Sequence, residues 1–412
     1  MNLRNLPLNF PAKALVSIAL AGMYFFTSCS SPTQPNDLTI RLGDGMNEAA
    51  IEFAVQDFFA DIDYIPLETN DSSLIGNVPH ATVLDTILLV SSTKQPLKAF
   101  DRSTGKYLRD IGHIGNDPQG YSCDSWGSIR YWVDKDQGQV YFMGWNNDFV
   151  RYDLNGQYKG TLSVDESQCN LFQDYFLIRA DTIWAHNKLR LSPELPSVSY
   201  LSMQTSEVTP VFTWDSMLLP IEEVLSISVI YGGHVAYGGD VTMALLSGDR
   251  KFYTAVDSPS LWLSGSTVRL KQDFNDTIYT VSPAGLIPYK VIDLGKWHWD
   301  EKDQYQVSGC KDKIHIDYVL ETDRYFYFHF QTGFYTDEAR SYCAFYDKRN
   351  GKVSVAQSDK LLDNSNNQSL QIRGVASDDS FFALLKPEDL LPEAISRLKI
   401  GEEDNPVLVI LK

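Results

Sequence analysis

The residues of this chain that could do chemistry are few and scattered: seven His, five Cys, eight Trp and 22 Tyr. No two His stand at metal-ligand spacing, so a metal site would have to be gathered from distant segments. There is no His-Glu-x-x-His, no phosphate loop, no Gly-x-Ser-x-Gly and no Cys-x-x-Cys. Asp134-x-Asp136-x-Gly138 holds part of a calcium loop but lacks the third carboxylate and the distant Glu. It reads as a hairpin turn in which Asp accepts backbone N–H groups. No catalytic residue, metal or cofactor is expected on these grounds. What remains is aromatic. His113, Tyr121 and Trp126 cluster in one segment, Trp297, His298 and Trp299 in another, with Trp145 alone and Phe334 beside Tyr335. Flat rings with one polar edge can stack on a sugar or anchor a peptide or protein partner. The same rings could instead pack between neighbouring elements.

These residues must be carried by a scaffold, and the scaffold repeats. A strand–turn–strand unit runs Leu97 to Asp101, Arg102-Ser103-Thr104-Gly105, then Lys106 to Ile111. It returns from Phe149 through Gly156 to Leu162, and more weakly from Val198 to Phe212. Further copies run from Thr277 through Gly285 to Leu294 and from Tyr342 through Gly351 to Val355. Gly supplies the positive φ of a tight hairpin, and Asp caps the turn. Two more strand-like runs lie between successive copies, for example Ile129 to Val133 and Gln139 to Met143. Four strands per repeat of about 50 residues is the signature of propeller blades. Five hairpins are internal. Pro406 to Leu411 lacks a following strand and Ile62 to Leu67 lacks a preceding one. Joining the two predicts an all-β, six-bladed propeller of four antiparallel strands per blade, closed by the N-terminal strand, with no exposed sheet edge. The stretch between Phe212 and Asp276 exceeds one blade and reads as an elaborated fourth blade with a Gly-rich loop at 231–239. Pro387 to Arg397 carries helix signals inside blade six.

Loop length singles out one face. The turns between third and fourth strands are short and closed by Gly. The second-to-third loops and the links between blades are long, and they carry the aromatic clusters: Gly112 to Gly127, Gly144 to Asn147, Gly295 to Asp312 and Gln331 to Tyr335. Function concentrates on long loops held by a rigid frame, which makes this the expected working face.

The N-terminal segment speaks to location. Arg4 and Lys13 precede a 13-residue, mostly apolar run, Ala14 to Phe26, ending in Thr27-Ser28-Cys29. That is a secretory signal, too short to span a bilayer. The terminal Cys gives it the form of a lipoprotein signal over 1–28, with Cys29 acylated; an ordinary cleaved signal with an incidental Cys is the other reading. A polar, Pro-containing tether and lead-in over 29–60 then precedes the propeller at 61–412. The expected location is the cell envelope, anchored to the outer membrane on its periplasmic side or at the surface. Lys and Arg total 35 against 53 Asp and Glu, a net charge of −18, and loss of the leader deepens it by two. Such a field repels phosphate backbones, so nucleic acid is not an expected partner and the membrane is met through the anchor only. Cys123, Cys169, Cys310 and Cys343 lie 46, 141 and 33 residues apart and match no compact disulfide framework.

Four motifs carry a family resemblance. Ile65-Pro66-Leu67-Glu68-Thr69, Ile111-Gly112-x-x-Gly115-x-x-Pro118-x-x-Tyr121, Asp276-Thr277-Ile278-Tyr279 and Asn405-Pro406-Val407-Leu408-Val409 resemble the signatures of six-bladed β-propeller lipoproteins of Bacteroidetes, relatives of NHL- and TolB-type propellers. Asp117 and Gly120 depart from the Gly and Glu usual in the second motif. The resemblance spans about residue 60 to the end and implies fold and envelope location, not an activity. Two functions are therefore expected in competition. One is a monomeric, non-catalytic module that binds a glycan, peptide or envelope protein through His113, Tyr121, Trp126, Trp145, Trp297, His298, Trp299, Phe334 and Tyr335. The other is a propeller enzyme, a metal-assisted lactonase, hydrolase or lyase, with carboxylates and His gathered at the central channel.

Overall fold

The computed structural model describes residues 38–412 except Val78, Ser125, Trp126, Asn147, 164–174, Ala180, Leu189, Leu191, 215–218, 231–240, Asp249 and 256–258. Cys29, the tether up to Asp37, Trp126, Cys169 and the Gly-rich loop thus lie outside the described residues.

Antiparallel four-stranded meanders succeed one another along the chain. The first is His80–Val83, Ile87–Ser91, Leu97–Asp101 and Tyr107–Ile111. The second is Tyr131–Asp134, Gln139–Met143, Phe149–Asp153 and Tyr158–Leu162. The third is Tyr175–Arg179, Thr182–His186, Val198–Ser202 and Val208–Phe212. The fourth is Leu261–Ser264, Thr267–Lys271, Thr277–Ser282 and Gly285–Ile292, and the fifth Ile314–Glu321, Tyr325–Thr332, Arg340–Asp347 and Lys352–Ala356. The sixth combines Gly374–Val375, Phe381–Leu385 and Val407–Leu411 with Ile62–Pro66 from the other end of the chain. Ile62 pairs with Leu411 and Pro66 with Val407. The hairpins form where the Asp and Gly spacing places them. Asp101 Oδ1 accepts from the N–H groups of Ser103 and Thr104, and Gly105 takes a φ of 69°. A Cβ at Gly105 would stand 2.0 Å from the Pro66 carbonyl oxygen, so the close approach as well as the φ requires glycine there.

The core lies between the sheets. One buried cluster joins the first sheet to the second through Leu97, Ile111, Phe142 and Tyr152. Others join second to third, third to fourth, fourth to fifth and fifth to sixth. A further cluster joins the sixth to the first, with Leu408 and Ile410 against Leu88 and Phe100.

Three departures from expectation have physical causes. The excess after Phe212 does not elaborate the fourth sheet. Val224–Ile230, Val241–Leu246 and Arg250–Ala255 form a separate three-stranded sheet with its own small core of Leu219, Ala244, Leu246 and Phe252. The lead-in is built into the fold from Thr39 onward: Thr39–Ile40 adds in parallel to Gly285–Ile292, and Phe53–Ala54 to Leu361–Asp363, because Ile40, Leu42, Phe53 and Val55 are apolar enough to bury. The helix in the sixth sheet is shorter than expected, Pro392–Leu398, with Pro at its first position and Lys399 in the left-handed region at its end. Asp134 Oδ1 accepts from the N–H groups of Asp136 and Gln137, the capping role of a turn. Cys123, Cys310 and Cys343 are free thiols.

Candidate functional site

The aromatic residues on the long connections separate into two groups. In the link leaving the first sheet, His113 Nε2 lies 2.6 Å from Asp117 Oδ2 and stands half exposed. Trp145, in the loop within the second sheet, donates through Nε1 to the Gly115 carbonyl at 2.6 Å while 51% of it stays exposed. The indole is thus held in place while half of it stays open to solvent. Tyr121 does not join it. Its link doubles back so that Tyr121 pairs with Ile114, and the ring is fully buried, stacked on Phe142 at 4.0 Å. Its hydroxyl accepts from Leu97 N and donates to Ile111 O, so this residue packs the first-to-second seam.

The second group sits where the fourth sheet meets the fifth. Trp299 is buried and donates to the Asp303 carbonyl at 3.1 Å. Phe334 and Tyr335 are half buried against Phe274, Trp299 and Cys310, and Trp297 is half buried in the fourth-to-fifth core. The rings expected as an open platform are therefore mostly wall. His298 alone stands at the rim, 47% exposed along its side chain, with Nδ1 2.5 Å from Asp276 Oδ2.

Behind this wall lies a polar array that the sequence motifs did not point to. Asp317 accepts from Nδ1 of His315 at 2.9 Å, from Nδ1 of His329 at 2.8 Å and from Nε2 of Gln331 at 2.9 Å. All three of His315, Asp317 and His329 are buried. His329 Nε2 lies 3.9 Å from Asp359 Oδ2, an ion-pair separation too long for a hydrogen bond. Burial alone would hold the His329 pKa down, but the hydrogen bond to Asp317 and the charges of Asp317 and Asp359 push it up to about 9. Burial likewise opposes ionisation of Asp317, and the two imidazoles override it, holding that carboxyl far below the usual range. The register shift between Ile316 and Tyr318 makes Asp317 the extra residue of a β-bulge, which aims its carboxylate at both strands. One signal could have found the array: His315-x-Asp317 and His329-x-Gln331 occupy matched positions on adjacent strands.

His315 has one nitrogen left over. Its ring stacks on Phe334 at 4.0 Å, its Nδ1 is used, and its Nε2 is buried with no partner. The ring lines a cavity of about 10 Å³ together with Lys271, Asp276, Phe274, Trp299, Leu294, Ile314 and Ile316. Lys271 Nζ donates to the Gln272 carbonyl at 2.9 Å. Burial lowers the Lys271 pKa and raises that of Asp276. On the third-sheet side, His186 meets Ser260 Oγ at 2.7 Å and the Gln272 side-chain oxygen, and burial pushes its pKa down to about 4, so it is neutral. A larger cavity of about 230 Å³ lies at the sixth-to-first seam between Pro66–Thr69 and Leu398–Ile400. It is lined by Glu68, Lys399 and Asp404 but by no His and no aromatic ring. No group of three or more His, Cys, Asp or Glu able to hold a metal occurs among the described residues, and no helix there is long and apolar enough to cross a membrane.

Successive four-stranded meanders with the core between them define an all-β protein of propeller-like architecture. Over residues 38–412 the chain belongs to the family described as Domain of unknown function (DUF4934). A comparison with curated proteins finds no match. Among solved structures, a Bacteroides fragilis protein provisionally described as exported superposes with a TM-score of 0.60 at 15% identity, covering 88% of this chain and 98% of that one. This likeness speaks to the fold. The WD40 β-propeller domain of Doa1 aligns over 85% of this chain and 98% of its own at 8% identity, but its TM-score of 0.34 carries no argument.

Proposed function

We propose that this chain is an exported, lipid-anchored, six-bladed β-propeller that binds a glycan, peptide or envelope protein, without catalysis, through the face bearing its long connections. The observation that carries the binding reading is Trp145: half exposed, but fixed by its bond to Gly115. Ring closure is supported by a repeated contact. Arg109, near the end of the first sheet, donates to Leu154 O in the second sheet's turn. In the same way Glu68 N, just past the sixth sheet, donates to Gly105 O in the first sheet's turn at 2.8 Å.

Two experiments test this reading. Trp145→Ala, scored on glycan and peptide arrays and then by titration against whichever probe is retained, should weaken binding about tenfold, since a stacked ring contributes about 1 kcal/mol beyond its area. The melting temperature should hardly move, because half of the indole is already in water. Trp297 is unsuited to the same test, since truncating it opens the fourth-to-fifth core. Unchanged binding by Trp145→Ala would remove this face from the proposal. For the anchor, metabolic labelling with a fatty-acid analogue should mark the parent chain and not Cys29→Ala; equal labelling would rule out acylation at that residue.

A further inference from the structure

A β-strand with one unpaired side offers its backbone N–H and C=O groups to any other strand, and proteins guard such edges with charged residues or proline. The outermost strands of the six meanders each carry a guard: Arg109, Lys159, Pro210, Lys290, Lys352 and Asp63. Val224–Ile230 carries neither a charge nor a proline. It is an edge of the separate three-stranded sheet, paired to Val241–Leu246 on one side and, among the described residues, to no strand on the other. The opposite edge of that sheet is closed. Lys251 N donates to Tyr305 O at 3.0 Å, and Arg250 bridges to Gln306. The open strand is apolar and wet: Leu225 is 71% exposed and Ile227 53%, with Ser226 and Ser228 exposed beside them. A bulge falls at Leu225, and from Ser226 to Ile230 the strand keeps unbroken register with its neighbour.

The strand's own sequence says what fits it. Val-Leu-Ser-Ile-Ser-Val-Ile reads almost the same in both directions about Ile227. A two-fold axis at Ile227 sets the same strand of a second copy antiparallel to it, the self-complementary contact of a symmetric dimer. Ile227 then lies opposite Ile227, Ser226 opposite Ser228, Leu225 opposite Val229 and Val224 opposite Ile230. Apolar residues meet apolar ones and hydroxyl meets hydroxyl, the pairs that stabilise neighbouring strands. Two copies at −18 repel each other, but this arrangement keeps the acidic flank Glu222-Glu223 of each copy at opposite ends of the contact. Parallel pairing in register would set those carboxylates side by side. We infer that Val224–Ile230 is a dimer contact: two copies pair antiparallel about Ile227 and merge their three-stranded sheets into one of six strands. This departs from the monomer expected from the sequence, and it does not depend on the binding face around Trp145. Seven residues at about 3.4 Å each make a short contact, of the small and reversible class.

The test is disulfide cross-linking of the full chain in the cells that produce it, oxidised with copper–phenanthroline, with the parent chain's own thiols as the baseline. Paired residues on antiparallel strands stand about 4.5–5.5 Å apart between Cα atoms, within reach of a disulfide. Ile227→Cys should therefore yield a species of twice the chain mass. Leu225→Cys should yield about tenfold less although it is the more exposed position, because its two copies are four positions out of step, about 14 Å along the strand. Ser228→Lys should cut the Ile227→Cys yield about tenfold and leave the melting temperature in place, since a charge on an exposed edge opposes pairing and enters no core. A mixture of Ser226→Cys and Ser228→Cys chains should cross-link as Ile227→Cys does, which keeps the test decisive if the latter misfolds. The dimer is overturned if no paired position gives the double-mass species above the baseline. It is equally overturned if Ile227→Cys and Leu225→Cys give it in equal amounts, as random collision would. A cross-linked species of any other mass would assign the edge to a different protein and overturn the self-pairing.

Discussion

Removal of residues 406–412 is expected to leave no soluble folded protein. Val407–Leu411 is a central strand, paired to Phe381–Leu385 on one side and Ile62–Pro66 on the other. All five of its residues are buried. They face two ways: Leu408 and Ile410 into the sixth-to-first seam, Val407, Val409 and Leu411 into the fifth-to-sixth seam. At roughly 1.5–3 kcal/mol per buried aliphatic side chain, the loss is of the size of a whole domain's stability. It also strips Ile62–Pro66 of its strand partner and exposes two edges that invite aggregation. Expression with a thermal melt decides the matter. A truncated chain that stays soluble and melts with the parent would show that the ends of the chain are not what holds the sixth sheet.

Replacement of His329 by Ala should destabilise the protein by about 3–5 kcal/mol, the usual consequence of removing one partner of a buried ion pair. The imidazole lies between Asp317 and Asp359 and stacks on Tyr318 at 5.0 Å. Without it a buried carboxylate loses its cation and a void opens beside it. The folded-state pKa of His329 is raised to about 9, above the model-compound value of 6.5. The stability it contributes is therefore fully present below about pH 6.5 and is lost as the pH rises through about 9. Asp317 and Asp359 are shifted the other way, so their contribution is present above the ordinary carboxylate range and falls away in acid. Stability attributable to this array should peak between about pH 4 and 6.5. Chemical denaturation at a series of pH values should show the alkaline loss in the parent and its absence in His329→Gln. An alkaline slope of equal size in both proteins would place the titrating group elsewhere.

Much of the frame was legible before any coordinates. Asp and Gly at the ends of Leu97–Asp101, Phe149–Asp153 and Arg340–Asp347 mark the hairpins, because a tight turn needs a side-chain acceptor and a positive φ at fixed offsets. Pro followed by acidic residues and apolar spacing announced a helix near Pro392–Leu398. These signals are local, and local geometry follows from which residues are neighbours in the chain.

The loop aromatics and the buried polar residues obey a different rule. Tyr121 and Trp145 look alike as loop aromatics, yet one is sealed in a seam and the other stands in water, because the link carrying Tyr121 folds back onto its own sheet. Val224–Ile230 reads like any blade strand, but its partners are its own neighbours, and it forms a separate sheet. Lys271, Asp276, His315 and His329 come from two sheets and lie as far as 58 positions apart in sequence. Local chemistry in the sequence thus determined which strands turn and where they turn. Tertiary structure alone decided which polar groups lost their water together, since burial and the charge of a neighbour act through space and leave no trace in spacing along the chain.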